Sequence, residues 1–310
     1  MTEKEQNKNE IVVSISCITY NHAPYIRQAL DGFIMQQTNF RFEVLIHDDC
    51  STDGTDDIIR EYATKYPDII KPLYEEENQY QNGKPHGSAV WNFPRAKGKY
   101  IAICEGDDYW TDPLKLQKQV DFLESHPDFS MVFANVRLHY DSGLSNESLP
   151  LVNREYPPYE IYTEWRITTP TVLFRKDVYN TEFYQSCRKI KNPVFGDLSL
   201  FMAASTLGKI YGMNAIVAGY RRLISGATTT IRRNPYRHFK NRIFLSNMLG
   251  PKYKEFDVNH FTAAYLLWAI KHIWYKFPEN WLFCYDLIRF SPKKCISIIV
   301  GAITSKLLRG

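Results

Sequence analysis

Cysteine is scarce and unordered in this chain: six occur in 310 residues, at 17, 50, 104, 187, 284 and 295. They form no CxxC pair and no other metal-ligand spacing, which excludes a disulfide framework and an ordinary zinc site. Reduced, partly buried thiols are expected, and with them a reducing, cytoplasmic setting. Long apolar runs are also missing. No stretch of about 18 apolar residues exists, so no ordinary membrane span is expected. The opening MTEKEQNKNE is polar and mixed in charge, which predicts a flexible tail over 1–10 and no secretory leader. Charge of one sign is lacking as well. With 38 basic and 34 acidic side chains the formal net charge is +4, too weak and too evenly spread for a nucleic-acid partner.

What is present is a core and a pattern. Hydrophobic residues make up 44 % and charged residues 23 %, enough for a core that stands without staples. From Ile11 onward, short apolar runs alternate with amphipathic stretches. Ile11–Thr19 reads as a buried strand, and Ile26, Ala29, Leu30, Phe33 and Ile34 recur at helical spacing. Phe42–His47 is a second strand, followed by a helix marked by Ile58, Ile59, Tyr62, Ala63 and Tyr66. Ile69–Tyr74 and Tyr100–Cys104 are the third and fourth, with a helix expected before the fourth that closes at Lys97-Gly98. Such alternation predicts βαβ units and a mostly parallel sheet flanked by helices. Further on, Leu116, Val120 and Leu123 mark a helix, and Met131–Leu138 a strand. Tyr140–Glu164 reads as a long surface loop or lid, Arg166–Phe174 as strand-like, Asp197–Leu207 as a helix and Ile210–Tyr220 as extended. Ile231–Arg242 is basic, and the remainder looks helical and aromatic.

In an open parallel sheet, ligands bind at the carboxyl ends of the strands. Three polar clusters fall there: Thr19-Tyr20-Asn21, Asp48-Asp49 and Glu105-Gly106-Asp107-Asp108. Carboxylates gathered on one rim repel one another unless a cation or ligand donors offset them. Mg²⁺ and Mn²⁺ favour one or two carboxylates plus phosphate oxygens, which the Glu105–Asp108 string can supply. Taken alone, that string reads first as a solvated acidic turn.

Order changes the reading. V-S-I-S-C-I-T-Y-N at 13–21, E-V-L-I-H-D-D-C-S-T-D-G-T at 43–55 and A-K-G-K-Y-I-A-I-C-E-G-D-D at 96–108 follow one another along the chain. Together they closely resemble family-2 glycosyltransferases of the GT-A fold, over roughly residues 11–225. The resemblance implies an α/β, Rossmann-like fold with a mostly parallel central sheet and a helical C-terminal extension at 226–310. It divides 11–225 into a nucleotide-binding half, 11–110, and an acceptor half, 111–225. Tyr20 and Asn21 then contact base and ribose, and Asp49 accepts a hydrogen bond from the base. Asp53, beside it in the D-G-T turn, reads as a helix cap. Glu105 and Asp107 match the outer places of the D-x-D motif, with Glu where Asp is usual. Asp107 or Asp108 is expected to hold Mn²⁺ or Mg²⁺.

P-V-F-G-D-L-S-L at 193–200 resembles the family's second acidic motif. Locally Asp197 is a helix cap; by the resemblance it is the base that deprotonates the acceptor. Tyr220-Arg221-Arg222 matches the segment preceding a loop over the diphosphate, and either arginine can neutralise that group. Lys84 and His86 are further phosphate candidates. Trp110 stacks on a sugar or packs in the core.

The resemblance thus implies a metal-dependent inverting enzyme of hexosyltransferase type. It moves one sugar from a nucleotide sugar, UDP-linked by preference, to a glycan or lipid-linked glycan acceptor. Cell-surface polysaccharide synthesis of the capsule or lipopolysaccharide kind, at the inner face of the membrane, is the expected setting. No Gln-x-x-Arg-Trp motif of processive synthases is present, which favours one addition per encounter. Two rivals are a nucleotidyltransferase, which would carry a Gly-rich basic loop after the first strand, and a binding protein that has lost catalysis on the same fold. Cys295–Leu308 is apolar and flanked by Lys293, Lys294, Lys306 and Arg309. Peripheral membrane contact through 293–309 and a helix docked on the protein's own core are both open readings.

Overall fold

A computed structural model describes residues 10–84, 87–140, 143–148, 151–164, 166–189, 196–222 and 244–253. Contacts divide the chain into two units, 1–186 with 197–226, and 187–196 with 227–310. The first unit carries the sheet. The tail 1–9, His86, the basic stretch 231–242 and the segment 293–309 lie outside the described residues, as does all of the expected extension 226–310 but 244–253.

Ten strands form one sheet: β1 Ile11–Thr19, β2 Arg41–Asp48, β3 Ile70–Tyr74, β4 Tyr100–Ile103, β5 Tyr109–Trp110, β6 Phe129–Tyr140, β7 Gly143–Ser148, β8 Arg154–Glu155, β9 Leu173–Arg175 and β10 Lys209–Arg222. Their order is β3-β2-β1-β4-β9-β6-β10-β5, with β7 on β6 and β8 on β10. β1 pairs in parallel with β2 and β4, and β2 with β3. β9 is antiparallel to both β4 and β6, and β10 is parallel to β6. Two inversions restore the direction, so β6 and β10 run the same way as β1–β4. The carboxyl ends of β1, β2, β4 and β10 therefore share one rim, and the expected α/β fold with a mostly parallel sheet is what is found.

The helices are α1 Ala23–Ile34, α2 Thr55–Lys65, α3 Ser88–Trp91, α4 Lys115–Ser125, α5 Pro158–Thr163, α6 Asp177–Asn180, α7 Glu182–Cys187 and α8 Gly196–Leu207. α1 starts with proline in its first turn and buries Ile26, Ala29, Leu30 and Phe33, one apolar stripe against the sheet. Those side chains join Val13, Ile15, Val44 and Ile46 in the main core.

Three expectations give way. The helix expected before β4 is the single turn α3 followed by a 3₁₀ turn, Phe93–Arg95. Asn92 between them is fully buried, and its amide donates to Ser16 Oγ, Cys17 O and Leu45 O. Pro94, two residues on, brings no N–H to continue an α-helix. The expected loop 140–164 contains β7, β8 and α5. Buried Tyr156 anchors that region: its ring packs edge-on to Phe133 and its hydroxyl donates to Val152 O. In 166–174 only the last two residues reach a strand, because Pro170 sits in a 3₁₀ turn, Thr169–Thr171.

Candidate active site

Beyond the end of β4 the parallel pairing continues as hydrogen bonds. Cys104 N–H donates to Ser16 O at 3.1 Å and Gly106 N–H to Ile18 O at 3.0 Å. The chain then turns, with Asp108 N–H donating to Glu105 O at 3.1 Å. Only glycine fits at 106: a Cβ there would lie 2.7 Å from Thr19 Oγ1 and 3.0 Å from His22 Nδ1. That close approach seats the acidic turn against the end of β1.

The three carboxylates of the turn have different surroundings. Glu105 is half-buried, and its Oε2 is a buried atom with no hydrogen-bond partner. Burial, with Asp107 beside it, pushes its carboxyl up to about 7, and Asp197 adds to the shift. Asp108 is buried, and burial together with Asp107 and Glu105 pushes it well above the usual carboxylate range. Its Oδ1 accepts the backbone N–H of Arg221 at 2.7 Å. Asp107 is half-buried, and no hydrogen bond to its carboxylate is found among the described residues. Of the two expected metal residues, Asp107 thus projects the uncommitted carboxylate and Asp108 a tethered one.

Across the rim, Asn21 adopts a left-handed conformation (φ 54°), which suits asparagine better than most residues. Its N–H donates to Ser51 Oγ at 2.9 Å and its Oδ1 accepts from Thr52 N–H at 2.8 Å. Tyr20 OH accepts from Gln81 Nε2 at 3.1 Å. Asp49 is buried, and both its carboxylate oxygens accept backbone N–H groups, from Gln79 at 2.7 Å and Tyr80 at 3.1 Å. Asp49 therefore organises the chain after β3, and a base would have to share its remaining lone pairs. Asp53 stands one residue before Gly54, the N-cap of α2, which makes no side-chain cap bond; its carboxylate accepts from Ala23 N–H, Thr55 N–H and Thr55 Oγ1. Burial pushes its carboxyl up, but these hydrogen bonds prevail and hold it below the usual range.

Arg221 lies near the end of β10. Nη1 donates to the Asp107 carbonyl at 2.5 Å and Nη2 to Gln28 Oε1. Its guanidinium carbon stands 5.0 Å from the Tyr25 ring centre and 4.6 Å from that of Tyr109. Arg222 is exposed, 6.0 Å from the Tyr140 ring centre. Lys84 is ion-paired with Glu77. Trp110 belongs to the core: it is 2 % exposed, and its indole N–H donates to Pro170 O at 2.7 Å. Asp197 stands in the first turn of α8, where its Oδ1 accepts from Leu198 N–H at 2.8 Å. Burial outweighs that bond and pushes its carboxyl up to about 6.

Sequence reasoning missed Tyr25 and Gln28 on α1, and it missed Lys115. Lys115 is fully buried, donates to Gln119 Oε1 at 2.8 Å, and lies 4.2 Å from the Trp110 ring centre. Lys115 and Gln119 stand at i,i+4 spacing on one helix, the single local signal, whereas the contacts to Trp110 and Arg221 leave none.

Among the described residues no group of three or more His, Cys, Asp and Glu side chains forms a metal cage. The donor set still fits a hard divalent cation. Glu105 carries an orphaned buried oxygen and Asp107 an uncommitted carboxylate, which is what Mg²⁺ or Mn²⁺ needs when phosphate oxygens and water complete the shell.

A family model described as glycosyl transferase family 2 matches residues 14–189. An uncharacterised protein of Mycobacterium bovis is 43 % identical over 168 residues, 53 % of this chain and 47 % of its own. The chain thus spans about half the length of that relative. TuaG of Bacillus subtilis, named for teichuronic acid biosynthesis, is 27 % identical over 277 residues, 82 % of this chain and 91 % of its own. A crystal structure of Staphylococcus aureus TarS (1-349) with UDP-GlcNAc superposes with a TM-score of 0.62 at 19 % identity, over 86 % of this chain and 74 % of that one. At that identity the likeness speaks for the fold alone.

Proposed function

Because this chain belongs to glycosyl transferase family 2, we propose that it moves one sugar from a UDP-sugar to an acceptor hydroxyl with inversion. The acceptor is a glycan or lipid-linked glycan of a cell-surface polysaccharide, met at the inner face of the membrane where lipid carries it. The observation that carries the reading is the acidic turn itself: Glu105 Oε2 orphaned and Asp107 uncommitted, on the rim shared with Tyr20, Asn21 and Asp49. That TarS has been captured with UDP-GlcNAc supports the choice of nucleotide. TuaG's name supports the class of acceptor.

Asp107, with Glu105, would hold Mn²⁺ or Mg²⁺, whose charge offsets the diphosphate as it leaves. Tyr20, Asn21 and the chain held by Asp49 fix the nucleoside. Asp108 ties the turn to β10, and Arg221 brings a positive charge beside it. Residues 11–110, joined by Arg221, supply this donor side, and the rest of 111–225 the acceptor side. Asp197 takes the proton of the acceptor hydroxyl as its oxygen bonds to the anomeric carbon, and the bond from that carbon to the phosphate oxygen breaks on the opposite face. A carboxyl raised to about 6 is suited to the task, because it is ionised at neutral pH yet more basic than an exposed aspartate.

Thermal unfolding with UDP, dTDP and GDP, each with and without Mn²⁺, tests the donor. UDP with Mn²⁺ should raise the melting point most, since a ligand at about 100 times its Kd adds about 2.7 kcal/mol to the folded state. No shift with any nucleotide contradicts the reading.

A further inference from the structure

Arg221 makes more contacts than a diphosphate ligand requires. Its backbone N–H holds Asp108 Oδ1, Nη1 holds the Asp107 carbonyl, and Nη2 holds Gln28 of α1. The plane of the guanidinium is fixed as well, by Tyr25 on α1 and by Tyr109 just after the acidic turn. Tyr109 reaches it because Gly219 leaves room: a Cβ there would lie 2.3 Å from Tyr109 Cζ. One side chain therefore joins three elements, the end of β10, the acidic turn and the solvent-facing side of α1. Both Nη atoms are engaged with neutral acceptors. An arginine so held has one rotamer and one aim, and a lysine cannot reproduce the planar fork.

We propose that Arg221, Tyr25 and Gln28 form a clamp that positions Asp107 by fixing its main chain, so that the Asp107 carboxylate keeps its aim at the rim. The inference rests on the reading above that Asp107 holds the divalent cation. In it Arg221 is a positioning residue, acting through Asp107, and Gln28 and Tyr25 share its role without reaching the donor. It separates two roles for Arg221 that the sequence alone merges. A direct phosphate ligand would need its Nη atoms for the donor, whereas a clamp uses them on Asp107 and Gln28.

The test uses the full chain and the variants Arg221→Lys, Gln28→Ala and Asp107→Asn. First, amide exchange is followed in the metal-free protein at Asp108 and Arg221, whose N–H groups bond within this network. Arg221→Lys and Gln28→Ala should both speed exchange there while leaving the β1 amides unchanged. Second, the half-saturating Mn²⁺ concentration for UDP binding and the affinity for metal-free UDP are measured by calorimetry. Loss of a charge-assisted hydrogen bond predicts that Arg221→Lys raises the half-saturating Mn²⁺ by roughly tenfold or more. Gln28→Ala should move it in the same direction by less, and metal-free UDP affinity should stay within about twofold in both. If Gln28→Ala matches wild type in both measurements while Arg221→Lys weakens metal-free UDP binding, Arg221 is a phosphate ligand and the clamp is overturned. If Asp107→Asn leaves Mn²⁺ dependence intact, the metal reading fails instead. The exchange result then still decides whether the clamp exists.

Discussion

Arg221 donates its backbone N–H to Asp108 Oδ1 at 2.7 Å, joining the end of β10 to the turn after β4 across 113 residues of chain. The bond gives an acceptor's role to a carboxyl that burial and two acidic neighbours push well above the usual range. An acceptor is needed there more than a charge is. Asp108→Asn keeps the Oδ1 acceptor and removes the repulsion, so at pH 7 it should unfold in urea at or above the wild-type midpoint. Asp108→Ala strands the Arg221 N–H and should lose about 1–3 kcal/mol. Equal losses in both variants would mean that the charge itself stabilises the turn.

Asp49 holds the chain after β3 through Gln79 and Tyr80. Asp49→Ala leaves two N–H groups without their acceptor and should cost about 1–3 kcal/mol for each that stays dry. Hydrogen exchange at the amides of residues 79 and 80 should accelerate with it. If those amides stay protected in the alanine variant, the carboxylate is not what organises this segment.

Lys115 gives the fold a pH-dependent weakness. Burial pushes its ammonium down to about 7, so above that pH the folded protein has shed a proton that the unfolded chain keeps until about pH 10.4. Between those values stability rises with pH through this group, by up to about 1.4 kcal/mol per unit. Lys115→Met removes that slope while preserving most of the packing on Trp110. Urea unfolding at pH 7 and pH 9 should show the variant's advantage over wild type shrinking as pH rises. An advantage that stays constant between the two would place the lysine in a solvated environment.

With the proposed role of Asp197 as base, its carboxyl, raised to about 6, should set a rising limb in the rate of transfer. Below that pH the base is protonated, and above it the carboxylate is ready, so kcat/KM should climb through a midpoint near 6 and level off. Asp197→Asn should lower kcat by about 10²–10⁴ and abolish the limb. A variant that keeps both the rate and the limb assigns the base elsewhere.

The first half of the fold was largely legible because its signals are local. β1, β2, α1 and the acidic turn each follow from a continuous run of residues, whereas the cap expected at Asp53 falls one residue early, since Gly54 is the N-cap of α2. What escaped the sequence depends on distant partners. β5 is two residues long and exists because Ala218 and Gly219 pair with Trp110 and Tyr109. Trp110 reads equally as a sugar platform until Lys115 and Pro170 are seen to enclose it. Asn92 replaces an expected helix because its amide serves two neighbouring strands. Asp49 and Asp108 were both found as acidic residues at strand ends. Their hydrogen bonds to Gln79, Tyr80 and Arg221 come from segments 30 to 113 residues away, which no periodicity reports.

The central claim is that the turn at 105–108 serves a nucleotide-sugar donor while Asp197 serves the acceptor, and two variants separate those halves. Transfer, donor hydrolysis and UDP binding would be measured with Mn²⁺ for wild type, Asp107→Asn and Asp197→Asn. Asp107→Asn should lose Mn²⁺-dependent UDP binding together with hydrolysis and transfer. Asp197→Asn should bind UDP and Mn²⁺ as wild type does and fail at transfer. Wild-type binding and turnover in both variants would contradict the account.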